Sequence, residues 1–166
     1  GQHPNAFSNR FAAVAAGLGT LTAGGFVRNP QFGTNLRYLA IGTAADLKAD
    51  DLADLKALRA ECDQGCRRCL QSCTTGAFGE PASVCIDGSV LDFAPIDQCR
   101  CDWALRYGLV PDEGVKYTGS KSDVPPPDTI TAAALAEAMK QQDPILRIRP
   151  CVAEMCLMAC PYTRAQ

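Results

Sequence analysis

From Phe11 to Val27 the chain carries no charged residue, and its apolar positions bunch together instead of alternating. Ser8 stands where an N-cap would, ahead of Phe11-Ala12-Ala13-Val14-Ala15-Ala16, and Gly17 and Gly19 follow as stop signals. The pattern predicts a short buried helix and then a turn. These 17 residues include four glycines and two threonines, and fall short of the roughly 20 predominantly apolar residues that a bilayer span needs. No membrane span is expected.

Arg37-Tyr38-Leu39-Ala40-Ile41-Gly42-Thr43 reads as a mostly buried strand, bounded by the turn-rich Asn29-Pro30-Gln31-Phe32-Gly33 and by Ala44-Ala45-Asp46. Leu52, Leu55 and Leu58 then recur at helical spacing with charges between them, which predicts an amphipathic helix over Asp50 to Glu61. Two more helices are expected, from Asp97 to Leu109 and from Thr129 to Gln141, the latter capped by Thr129 or Thr131. Between them Gly114 to Asp128, with Pro125-Pro126-Pro127, reads as loop or linker.

A hydrophobic content of 47% supports a packed core over 166 residues. Formal net charge is −2 and no basic stripe runs along any element, so nucleic acid is not an expected partner. His3 is the one histidine, near the start of the chain, and no histidine–serine–acid set can be built. The acid pairs Asp50-Asp51 and Asp112-Glu113 read as solvated caps and turns. Gly17-x-Gly19 is not a dinucleotide fingerprint, because Thr22 occupies the third glycine's place; its own spacing supports the packing of a tight turn.

Ten cysteines change the picture, since seven of them fall in two runs, Cys62-x3-Cys66-x2-Cys69-x3-Cys73 and Cys151-x4-Cys156-x3-Cys160-Pro161. Thiolates two or three residues apart beside a helical turn converge on one iron–sulfur cube, and the last cysteine of each run reaches the other cube. On that reading the two runs have to meet in space. Each oxidised cluster with its thiolates adds roughly −2, for a total on the order of −6. A structural zinc protein and a disulfide-rich scaffold are the alternatives, but zinc knuckles bring separated pairs of ligands, and disulfide-stapled domains are shorter.

In order along the chain stand Ala16-Gly17-Leu18-Gly19, Asn29-Pro30-Gln31-Phe32-Gly33 with the segment after it, the first cysteine run with Thr75-Gly76-Ala77, Cys85-Ile86-Asp87, and Cys156-Leu157-Met158-Ala159-Cys160-Pro161. This ordered set resembles the epoxyqueuosine reductases and reductive dehalogenases, cobalamin-dependent enzymes whose C-terminal part is a two-cluster ferredoxin-like module. The resemblance implies that Cys62, Cys66, Cys69 and Cys160 hold one [4Fe–4S] cluster, and that Cys73, Cys85, Cys151 and Cys156 hold the other. It also assigns Gly17 and Gly19 to the cofactor side. Cys99 and Cys101 are expected to be buried thiols on a helix, with replacement of Cys85 by either left open.

The expected fold class is therefore α+β. Residues 1–49 form a partial sheet-and-helix segment resembling the end of a cobalamin-reductase domain, and residues 50–166 a mostly helical ferredoxin-like module with two clusters. The implied function is iron–sulfur electron transfer toward a corrinoid, the upstream corrin-binding half of the family being expected to lie outside this chain. A complete, short cobalamin-dependent reductase is the alternative. A redox donor protein is the expected partner, with a corrinoid-binding chain or a second copy meeting the open edge of the partial sheet. Cluster assembly in a reducing compartment points to the cytoplasm.

Overall fold

The computed structural model describes residues 7–55, 62, 65–107, 127–140 and 154–163. Along them run α1 (Asn9–Ala15), β1 (Thr20–Leu21), β2 (Val27–Arg28), α2 (Arg68–Gln71), β3 (Ala82–Ile86), β4 (Ser89–Phe93), α3 (Gln98–Tyr107), α4 (Ala132–Lys140) and α5 (Met155–Met158). Helices with two small antiparallel sheets make the chain α+β, the class expected from its patterning. Contacts divide it into two units: Gly1–Arg67 with Glu80–Pro95 and Cys160–Gln166, and Arg68–Gly79 with Ile96–Ala159.

In the first unit Ser8 caps α1, its hydroxyl accepting the Phe11 amide at 3.4 Å. The helix ends as its glycine predicts. Gly17 takes φ +72°, the Leu18 amide reaches back to the Ala13 carbonyl, and the Gly17 amide reaches the Val14 carbonyl, which satisfies the last turn. β1 and β2 pair Thr20 with Arg28 and Leu21 with Val27, and a Cβ on Gly19 would lie 2.3 Å from the Arg28 carbonyl oxygen. Ala13, Val14, Leu21, Val27 and Leu55 are buried together.

A second hairpin covers this core. β3 and β4 join through Asp87 (φ +47°) and Gly88 (φ +72°), the left-handed pair that matches the strands' twist. Val84, Ile86, Leu91 and Phe93 pack inward, Phe93 edge-on to Phe11 at 5.6 Å, while Ser83, Cys85, Val90 and Asp92 are exposed on the other face.

Two expected elements are absent here. Residues 37–43 form no strand, and Leu39 and Ile41 are 81% and 82% exposed. A strand exists through its ladder, and none of the described residues forms a ladder with this segment, of which Tyr38 alone packs on the described core while Leu39 and Ile41 face outward. Residues 50–55 form no helix either. The Ala53 amide donates to the Ala15 carbonyl at the end of α1, and Leu55 enters the core while Leu52 stays exposed. Residues 56–61 of the expected helix lie outside the described ones.

In the second unit α3 begins at Asp97, whose carboxylate accepts the Arg100 amide at 3.0 Å. Thr131 caps α4, accepting the Ala134 amide at 3.1 Å. Both helices fall inside the expected spans, and Leu109, Gln141 and most of the expected linker lie outside the described residues. Trp103, Ile130, Leu135 and Ala138 make the core between the two helices. α2 and α5, one turn each, pack together, and the Ser72 hydroxyl lies 2.9 Å from the Cys69 carbonyl and 3.4 Å from the Met155 carbonyl. Among the described residues no helix is long and apolar enough to cross a membrane.

Candidate metal centre

The packing of α2 on α5 joins part of each cysteine run in the second unit. Cys69 is buried on α2, Cys73 follows that helix, and Cys156 lies on α5. The Cys73 sulfur accepts the Ala77 amide at 3.3 Å and lies 3.7 Å from the Thr75 hydroxyl. Backbone amides aimed at a cysteine sulfur are the outer-shell contacts that stabilise a metal-bound thiolate.

Cys101 belongs to this neighbourhood. Burial first, then the negative charges of Asp102, Cys73, Glu154 and Asp97, push its thiol up to about 11. Burial and Glu154 push the Cys156 thiol up to about 12 against the Leu157 backbone hydrogen bond, with Cys101 and Cys73 adding to the rise. Cys73 thus acts on both Cys101 and Cys156, and Cys101 acts on Cys156. The helix explains why Cys101 and not Cys99 does so. Cys99 and Trp103 are four residues apart and share the face that packs on α4, whereas Cys101, two residues from each, points elsewhere.

A raised thiol is a poor nucleophile near neutral pH, which applies to Cys101 and Cys156. Cys85, by contrast, is exposed on the outward face of β3 and belongs to the first unit. In native protein at pH 8 iodoacetamide therefore alkylates Cys85 well ahead of Cys101 and Cys156, as peptide mass mapping would show. Protection of Cys85 equal to that of Cys156 would instead mark it as a ligand.

The first unit holds Cys62, Cys66 and Cys160. Cys62 is buried, and its sulfur accepts the Ala23 amide at 3.2 Å from the loop between β1 and β2. Cys66 is half-buried. Cys160 is fixed by the residues after it: Thr163 donates from its amide and hydroxyl to the Cys160 carbonyl, and the Thr34 amide donates to the Tyr162 carbonyl at 3.1 Å. The Arg28 guanidinium stacks 4.7 Å over the Tyr162 ring. Gly33 (φ +68°) allows this approach, since a Cβ there would lie 2.3 Å from the Tyr162 carbonyl oxygen. Cys151 lies outside the described residues.

Gly17 and Gly19 are used by the chain itself. Gly17 ends α1 against Ala53, and Gly19 presses on the backbone of Arg28, so both do the tight-turn packing that their spacing supports. The described cysteines are free thiols. Among the described residues no group of three or more His, Cys, Asp and Glu side chains is gathered closely enough to hold a single ion. A [4Fe–4S] cube needs a wider spacing, because each thiolate takes a different iron instead of sharing one ion at about 2.3 Å. The donor chemistry of Cys73, Cys101 and Cys156 fits such a group: free sulfur ligands, an amide donor on one of them, and a partly buried setting. Sequence reasoning missed the amide donors Ala23 and Ala77, which no composition signal marks, and missed the β3–β4 hairpin, for which Asp87-Gly88 between apolar alternations was the available signal. Comparison with protein-family models, with curated proteins and with solved structures finds no match to this chain.

Proposed function

We propose that this chain is an iron–sulfur electron-transfer protein or module carrying two [4Fe–4S] clusters, similar to the part of epoxyqueuosine reductases and reductive dehalogenases that delivers electrons to a corrinoid. The observation that carries the proposal is that Cys73, Cys101 and Cys156, free thiols from three separate segments of the chain, lie within electrostatic reach, Cys73 raising both of the others and Cys101 raising Cys156. In the ligand set of one cluster Cys101 takes the role that the resemblance implied for Cys85, beside Cys73, Cys156 and, by sequence, Cys151. For the other cluster the proposal keeps the sequence-based ligands. A mostly helical ferredoxin-like module is part of this reading, supported by α2, α3, α4 and α5 around these cysteines.

When bound, such clusters exchange single electrons. The chain's own residues hold the sulfurs, exclude water and set the local charge. Ala77 and Ala23 donate to Cys73 and Cys62, which stabilises sulfur carrying negative charge. Glu154, Asp97 and Asp102 act in the opposite direction, disfavouring added electrons in the second unit. A soluble redox protein is the proposed donor, a corrinoid the proposed acceptor, and a reducing compartment such as the cytoplasm the proposed setting.

Iron, acid-labile sulfide, zinc and cobalt per chain, measured with the visible spectrum on anaerobically purified protein, test the proposal. About eight irons and eight sulfides, with a broad brown absorption that bleaches on reduction, are expected. Zinc, or no metal at all, would overturn it in favour of a structural site or a disulfide scaffold, and stoichiometric cobalt would favour a complete cobalamin-dependent reductase.

A further inference from the structure

Cys73 is followed by a short reversal that the chain ties to α3 by a reciprocal pair of hydrogen bonds. The buried Thr75 donates its hydroxyl proton to the Arg100 carbonyl at 2.8 Å, and the Arg100 guanidinium donates to the Thr75 carbonyl at 2.9 Å. Asp97 holds Arg100 in turn, accepting its amide at 3.0 Å and standing 3.9 Å from its guanidinium. The same Thr75 hydroxyl is 3.7 Å from the Cys73 sulfur, whose other neighbour is the Ala77 amide.

One hydroxyl proton thus has two acceptors. While Cys73 is a thiol, its own proton can bridge to the hydroxyl oxygen, and the Thr75 proton stays on the Arg100 carbonyl. Metal ligation removes the thiol proton and leaves an anionic sulfur facing the hydroxyl's lone pairs. The hydroxyl then gains by turning, because a hydrogen bond to a charged acceptor is roughly twice as strong as a neutral one. The Arg100 carbonyl loses little, since its place in α3 gives it a helical amide partner four residues on.

We infer that Thr75 is a positioning residue for the cluster held through Cys73: its hydroxyl turns from the Arg100 carbonyl to the Cys73 sulfur when that sulfur ligates metal. By stabilising charge on the sulfur it raises that cluster's reduction potential. The inference rests on the two-cluster reading of the preceding subsection.

The test is a reductive titration of anaerobically purified wild-type protein, Thr75→Val and Thr75→Ser, followed by EPR, with iron counted in each. In Thr75→Val one of the two potentials is expected to move negative while the other stays, and Thr75→Ser is expected to restore the wild-type value. Unmoved potentials in Thr75→Val, or an equal shift in Thr75→Ser, overturn the inference and leave the two clusters standing. Wild-type protein without iron overturns both. A second measurement does not depend on how the valine variant folds. A brief transfer of wild-type protein into D₂O exchanges hydroxyl protons ahead of hydrogen-bonded buried amides, and the Fe–S(Cys) bands in resonance Raman are expected to shift on that timescale. Bands that do not shift overturn the inference.

Discussion

On the proposed two-cluster reading, Cys101→Ser is expected to halve the iron bound per chain, from about eight to about four, while Cys85→Ser is expected to leave it unchanged. The expectation follows from surroundings, not from spacing. Cys73 adds to the rise of the Cys101 thiol, and Cys101 and Cys73 both add to that of Cys156, whereas Cys85 is exposed on the outer face of β3, opposite Val90, in the other unit. A ligand lost from a cube leaves one iron without its thiolate, and a hydroxyl is a far weaker donor to iron than a thiolate, so the whole cluster is lost and not a quarter of it. Iron and sulfide counted on the two variants beside wild type decide the matter. An unchanged count in Cys101→Ser, with loss in Cys85→Ser, would return the assignment to the ligand set that the resemblance implies. Equal loss in both would mean that the hairpin reorganises when metal binds.

Trp103→Ala costs about 3–5 kcal/mol of the second unit's stability. The indole is 2% exposed and fills the space between α3 and α4 against Ile130, Leu135 and Ala138, with Cys99 and Met139 at its margin. Removing it leaves a cavity that two short helices with few other large side chains cannot refill. Denaturant unfolding followed by circular dichroism measures the loss; fluorescence cannot serve for the variant, because Trp103 is the chain's single tryptophan. A change below about 1 kcal/mol would mean that the α3–α4 pair is not held by this core. Iron content in the same variant separates packing from ligation. Trp103 and Cys101 are two residues apart and therefore on different faces of α3, so a partial loss of stability is expected without the loss of a specific ligand.

Local chemistry was legible in the chain. Ser8, Asp97 and Thr131 cap helices where their positions predict, and Gly17 closes α1, because a cap needs only a side chain or a φ within three or four residues of the helix end. The Asp87-Gly88 turn is equally local, a left-handed pair between two apolar alternations, although no hairpin was expected there. The segment from Arg37 to Thr43 was misread for the converse reason: its composition suits a strand, but pairing comes from elsewhere in the fold and none of the described residues supplies it. Ala53 shows the same limit, its amide meeting a carbonyl 38 residues earlier that no local pattern marks.

The sequence by itself determined that this chain has capped short helices and that seven of its cysteines stand in two closely spaced runs. Only the tertiary structure decided which thiols influence one another. Cys73, Cys101 and Cys156 come from three segments far apart in the chain, and their electrostatic coupling depends on the phase of α3 and on the packing of α2 against α5. Spacing along a chain constrains ligands that share one turn of backbone. A ligand delivered by a distant helix is selected by the rotation of that helix about its axis, which its packing against the rest of the fold sets.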